Sequence, residues 1–217
     1  MADPAGIVTI YDFYGKIAKI NKFSGCSYLF LQTVETLGTE TEMALYSLCY
    51  PTLSKDDDEF IRSYRREHDL PFRDVVNHHF TLVFGIRDLD KDTYTCHIRD
   101  ITASYSPISF VCRYAMPGHD ALDNNYYVFL VPDEGYSAIS LLHDRLYTGP
   151  FAPFHRLDIP YIPHISIATI ADAPRVKRLC DKLNATGINI SGTLNHITVC
   201  EYDGNRITDL ERIGFGV

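Results

Sequence analysis

Two short triplets of this chain carry side chains suited to chemistry: His79-Phe80-Thr81 and His164-Ile165-Ser166. Each lies in a β-prone run, HHFTLVFGI and PHISIATI. Side chains two apart on a strand point to the same face, so each triplet presents an imidazole and a hydroxyl side by side. Phe80, Leu82 and Phe84 then turn to the other face, as do Ile165 and Ile167. Two imidazoles and two hydroxyls facing one cleft suit a phosphodiester. One histidine takes a proton, the other gives one, and the hydroxyls hold phosphate oxygens.

A His-x-Thr/Ser triplet alone is a weak signal, and His196-Ile197-Thr198 is a third match. Position separates them, because the elements around the first two repeat. The run ALYSLCYP (44–51) reads as a buried strand. Ser54 then caps a helix through DDDEFIRSYRREHD, with acids in its first turn and Arg65 and Arg66 near its end. The first triplet strand follows at 79–85, then a helix over 88–104 and the strand ISFVCRYAM. PGHDALDNN (117–125) reads as a loop. The order then recurs. YYVFLVP is a strand, 136–147 an amphipathic helix, TGPFAPF the start of a Pro-rich linker, and His164 the start of the second triplet strand. DAPRVKRLCDKLNATG is a helix stopped at Gly187. INISG, HITVCEY and ITDLERIGF close the chain, with Asp203-Gly204 as a hairpin turn. Tyr46 precedes His79 in one copy as Tyr127 precedes His164 in the other; His196 has no mate. The pattern predicts an α+β domain of two similar lobes, a pseudo-twofold repeat of strand-helix-strand units facing each other across a central cleft.

The 217 residues are most simply one main domain. Residues 1–42 read as an N-terminal extension. Its GIVTIYDFY and CSYLFLQTV are β-prone and suited to a hairpin, and the domain proper spans 43–217. The net charge of −8 argues against a grip on long duplex nucleic acid. The six scattered cysteines lack C-x-x-C spacing, which fits thiols in a reducing cytoplasm. No apolar run reaches the length of a membrane span, and the N-terminus has no secretory pattern.

The paired triplets on a repeated unit resemble the 2H phosphoesterase superfamily. The nearer match is its bacterial branch of 2′-5′ RNA ligases, or RNA 2′,3′-cyclic phosphodiesterases. ALYSLCYP, HFTLVFG, YYVFLVPDEGYSAISLLHDRLYTGP, IPYIPHISIA and DGNRITDLERIGFG carry the resemblance, over about 43–217. It implies the two-lobed fold of that superfamily and a metal-independent phosphodiesterase without cofactor. His79 and His164 are then the catalytic acid and base, and Thr81 and Ser166 bind phosphate. Its substrates are RNA ends with 2′,3′-cyclic phosphate or small nucleotides, opened so that the 3′ oxygen leaves, with 2′-5′ ligation by the reverse reaction. The protein is expected to act as a monomer. Other cyclic or 2′-5′ linked nucleotides, including signalling nucleotides, remain alternative substrates.

Phe72 and Tyr161 are candidates to stack a base, although aromatics before a strand more often pack. His78 faces away from the cleft if its strand is regular. Arg156 and His155 are candidates to touch phosphate from the linker, or are a solvated face. Three rival functions stay in view. His78 and His79 with Asp69 or Asp74 are a conceivable zinc or manganese set, but adjacent histidines on a strand diverge. A serine hydrolase lacks its G-x-S-x-G elbow. A nucleotide- or RNA-binding module would use the same cleft without turnover.

Overall fold

A computed structural model describes residues 7–11, 17–21, 43–119 and 125–216. Strands β1 (Ile7–Tyr11) and β2 (Ile17–Asn21) pair antiparallel. The extension therefore holds a hairpin, but inside GIVTIYDFY and the Lys/Gly stretch after it; CSYLFLQTV lies outside the described residues.

The rest is α+β, built on two antiparallel sheets. β3 (Ala44–Cys49) and β5 (Phe80–Ile86) belong to one sheet with β10 (His196–Tyr202) and β11 (Ile207–Gly214), in the order β11-β10-β3-β5. The other sheet runs β4-β9-β6-β7-β8. Its members are β4 (Thr52–Leu53), β6 (Ile108–His119), β7 (Tyr126–Glu134), β8 (Ile165–Ile170) and β9 (Ile190–Leu194). Each triplet strand, β5 or β8, is thus an edge strand beside the first strand of its own repeat. The β6 strand extends through Pro117-Gly118-His119, where the sequence suggested loop. Gly118 is required there: a Cβ would sit 2.1 Å from the Phe129 ring.

Among the described residues, four α-helices cover the sheets. The α1 helix (Lys55–His68) starts at Ser54, whose side chain accepts from Asp57 N–H. The α2 helix (Lys91–Thr102) is capped by Asp90 and α4 (Ala173–Ala185) by Asp172, with Gly187 at φ +68° behind α4. The α3 helix (Tyr136–Leu146) is followed by a 3₁₀ turn over Gly149–Phe154, where the sequence suggested only linker. The helices trade partners between repeats. α1, from the first half, packs on β8 of the second; α3, from the second, packs on β5 of the first. A single core that includes Phe80, Leu82, Phe110, Leu130, Ile165 and Ile167, all buried, runs through both sheets. Burying such side chains is worth about 1.5–3 kcal/mol each.

Candidate active site

The two triplets have one local geometry. His79 and His164 each stand one residue before their strand begins. His79 Nδ1 lies 2.6 Å from the carbonyl of Asn77, and His164 Nδ1 lies 2.6 Å from that of Ile162. In both, the partner is the carbonyl two residues back. A carbonyl only accepts, so Nδ1 carries the hydrogen in both rings and Nε2 is left with the lone pair. A ring so fixed takes a proton at Nε2 when neutral and donates one there when charged.

Both strands bulge at the same place. Thr81 faces Leu48 and Val83 faces Ser47, skipping Leu82; Ser166 faces Phe129 and Ala168 faces Val128, skipping Ile167. A bulge resets the alternation of faces. The residue three past each hydroxyl, Phe84 or Thr169, therefore joins that hydroxyl on the wall of a cavity of about 200 Å³. Strict alternation assigns Phe84 to the core; the bulge returns it to the cleft. Tyr46 and Tyr127, the tyrosines that marked the repeat, also line the cavity, each two residues before the partner of the hydroxyl residue. Gly85 gives Tyr46 its room, since a Cβ there would meet Tyr46 Oη at 2.7 Å.

The cavity walls bring together His79, Thr81, Ser166 and Phe72. His164 stands beside them, close enough for its charge to act on His79. Its ring stacks on Phe129 with centroids 3.7 Å apart. Tyr161 sits elsewhere. Its ring lies face-on against His143 at 3.6 Å, and its hydroxyl donates to the Thr81 carbonyl at 3.1 Å. It braces the first triplet strand, β5, from behind, and one of its two faces is already covered. His78 is buried yet reaches the cavity wall, with Nε2 3.2 Å from Asp58 Oδ1.

Burial pushes the His79 imidazole down to about 4, opposed by the Asn77 carbonyl and helped by the charges of Arg65, His164 and His78. Burial pushes His164 down to about 4 as well, opposed by the Ile162 carbonyl. Beside the cavity lies a buried network that sequence reasoning missed. Arg65 Nε donates to Asp69 Oδ2 at 2.8 Å, Thr169 Oγ1 donates to Asp69 Oδ1 at 2.7 Å, and Arg65 Nη2 donates to the Phe72 carbonyl at 3.1 Å. It ties the end of α1 to β8 and holds a guanidinium near His79. Its signal in the sequence was the i, i+4 Arg65–Asp69 pair, which is more often a surface feature.

The third triplet lies apart. His196 and Thr198 border a separate, more polar cavity of about 430 Å³ with Asn77, Tyr50 and Arg212. Burial lowers the His196 imidazole, and the Arg212 charge lowers it further. The metal set imagined from sequence is not assembled, because His78 is turned to Asp58 instead. Among the described residues no helix is long and apolar enough to cross a membrane.

Residues 53–206 match the sequence profile of the 2′-5′ RNA ligase superfamily. No curated protein matches the chain in sequence. Among solved structures, the crystal structure of a phosphoesterase is similar at 16% identity and a TM-score of 0.51, over 81% of this chain and 99% of its own. Escherichia coli LigT complexed with NADP+ is similar at 17% identity and a TM-score of 0.50, with the same coverage. At these identities the likeness is one of fold. Kluyveromyces marxianus Usb1 is similar at 7% identity and a TM-score of 0.45, over 78% of this chain and 97% of its own.

Proposed function

Because the chain belongs to the 2′-5′ RNA ligase superfamily, the 2H phosphoesterases, we propose that it opens 2′,3′-cyclic phosphates of RNA ends or nucleotides by acid–base catalysis between His79 and His164. The observation that carries this reading is the matched pair of rings, each with Nδ1–H spent on a carbonyl and Nε2 free to exchange a proton. In the forward reaction, Nε2 of the neutral histidine takes a proton from water as the water oxygen bonds to phosphorus. The bond from phosphorus to the ribose 3′ oxygen breaks, and the protonated histidine gives its Nε2 proton to that oxygen. The product is a 2′-phosphate with a free 3′ hydroxyl. Thr81 and Ser166 donate to the non-bridging oxygens, where charge builds. These groups supply all the proton transfer the reaction needs. Run in reverse with a ribose hydroxyl, the same geometry joins a 2′-5′ linkage.

The mostly apolar wall of Phe72, Val75, Val76 and Phe84 offers a base a dry surface beside the phosphate position. LigT, of similar fold, has been crystallised with a nucleotide, NADP+. The free thiols, four of them buried among the described residues, suit a reducing cytoplasm. Another cyclic or 2′-5′ linked nucleotide would use the same machinery, and a panel of such substrates ranks them by kcat/KM.

The test is turnover of a cyclic-phosphate oligoribonucleotide by His79→Ala, His164→Ala and His196→Ala. The first two are expected to lose about 10²–10⁴-fold, with His196→Ala near the parent. Phosphorus NMR of the product should show a 2′-phosphate. Full activity in either of the first two variants rejects the pair. A protein that binds nucleotides but never turns them over is a binding module.

A further inference from the structure

A second cluster of functional side chains lies behind the catalytic strand, and none of its members lines the cleft. His143 is buried near the end of α3, Asp144 follows it, and His155 stands in the linker after the 3₁₀ turn. One ligating atom from each lies within 4.8 Å of the other two. We propose that His143, Asp144 and His155 bind a divalent transition-metal ion, best fitted by zinc, which staples the linker to α3.

His143 is already set as a ligand. Its Nδ1 donates to the Leu82 carbonyl at 2.9 Å, which places the lone pair on Nε2. A ligating histidine characteristically has its second nitrogen tied to a carbonyl or carboxylate in this way, fixing tautomer and ring angle. Its ring is held face-on by Tyr161 at 3.6 Å, and the His155 ring stacks on Tyr147 at 4.9 Å. Two imidazoles and one carboxylate form a borderline donor set that zinc takes with water in the fourth position. In a tetrahedral site with bonds of about 2.0–2.1 Å, ligand atoms stand about 3.3 Å apart. Closing on the ion therefore needs a shift of about 1.5 Å or less. The exposed Asp144 and the half-buried His155 can supply it while His143 stays fixed. The nearby Arg156 guanidinium is paired with Asp158, at 2.6 Å, so its charge is partly neutralised.

The ion would brace the site without entering the chemistry. Leu82, held by His143, is the bulge residue next to Thr81, and Tyr161 donates to the Thr81 carbonyl. His155 begins the segment that ends at His164. Loading the ion joins the supports of both triplets and should raise thermal stability.

The experiment titrates zinc chloride into the apo full-length protein by calorimetry at pH 7, with cobalt substitution to read tetrahedral geometry from its absorption. One equivalent is expected, with a rise in Tm of roughly 5–10 °C at a hundredfold excess over Kd. His155→Ala and the exposed Asp144→Asn should each lose both, while the His79→Ala/His164→Ala double variant retains them. No binding, binding unchanged in Asp144→Asn and His155→Ala, or binding lost in the cleft double variant would each overturn the proposal. Phosphodiesterase activity is a separate readout, because turnover below the apo Tm is expected to survive chelator.

Discussion

The depressed histidines dictate an unusual pH dependence. Productive protonation needs one ring neutral and the other charged, and burial places both near 4. At pH 7 a ring of that pKa is protonated in roughly one molecule in a thousand. A phosphodiester keeps its single charge across this range, so the free-enzyme profile reports the two rings alone. The value of kcat/KM should therefore fall about tenfold per pH unit above pH 5, and about a hundredfold between 5.5 and 7.5. Binding changes this. An anionic phosphate about 4 Å from an imidazolium, at an effective dielectric of 20, is worth about 4 kcal/mol, or roughly three pKa units. That returns the acid in the complex to near 7, and the kcat profile should sit two to three units above that of kcat/KM. The assay is steady-state kinetics on a cyclic-phosphate substrate from pH 5.5 to 8.5. The lower bound is set by stability. A group depressed on folding contributes stability that is present above its unfolded pKa of about 6.5 and is lost as pH falls towards its folded value. At pH 5.5 that loss is at most about 1.4 kcal/mol per ring, and less once their partial exposure to the cleft is counted. A kcat/KM flat or rising from 5.5 to 7.5 would refute the reasoning, because the free rings would then titrate near neutrality.

Three substitutions probe the parts around the pair. Thr169→Val removes the hydroxyl bonded at 2.7 Å to the buried Asp69 carboxylate; a bond to a charged acceptor is worth about 1.5–3 kcal/mol, to be read by urea unfolding, and an unchanged midpoint would deny the network its role. Gly85→Ala should drive Tyr46 from its place into the cleft and raise KM with little change in kcat, whereas unchanged KM would show that the ring relaxes elsewhere. Phe129→Leu removes the ring stacked on His164 and should shift the alkaline limb of the kcat profile to lower pH; a shift of the acidic limb instead would assign His164 as the base.

What the sequence made legible is what depends on local chemistry. The cap at Ser54 and the stop at Gly187 mark the start of α1 and the end of α4 because a side-chain oxygen or a positive φ acts within a few residues. The triplets were legible because a period of two survives for three residues, and their equivalence because the element order repeats. The belonging of the chain to a phosphoesterase superfamily followed from the same repeat. Phe84 was misplaced because a bulge is set by the partner strand, whose register single-strand alternation does not contain. The Arg65–Asp69–Thr169 network was invisible for a similar reason. An i, i+4 ion pair on a helix reads as surface, and it becomes buried only because α1 packs on the other half's β8. The carbonyls of Asn77 and Ile162 leave no mark in side-chain identity at all.

The two halves match in geometry and differ in charge, and the difference bears on direction. His79 feels the permanent cation of Arg65, so an imidazolium there is opposed beyond burial. Among the described residues no comparable cation acts on His164; opposed chiefly by burial, it stacks on Phe129, whose π face attracts a charged ring. Once phosphate is bound, the single proton of the pair costs less on His164 than on His79. On that order we propose that His79 takes the proton from water and His164 returns one to the leaving oxygen. In the proposed reverse reaction, ligation would run the protons the other way between the same two rings. On this proposal a fold made of two like halves draws an acid and a base from one repeated triplet, through the Arg65 pinned beside one copy and the Phe129 ring laid under the other.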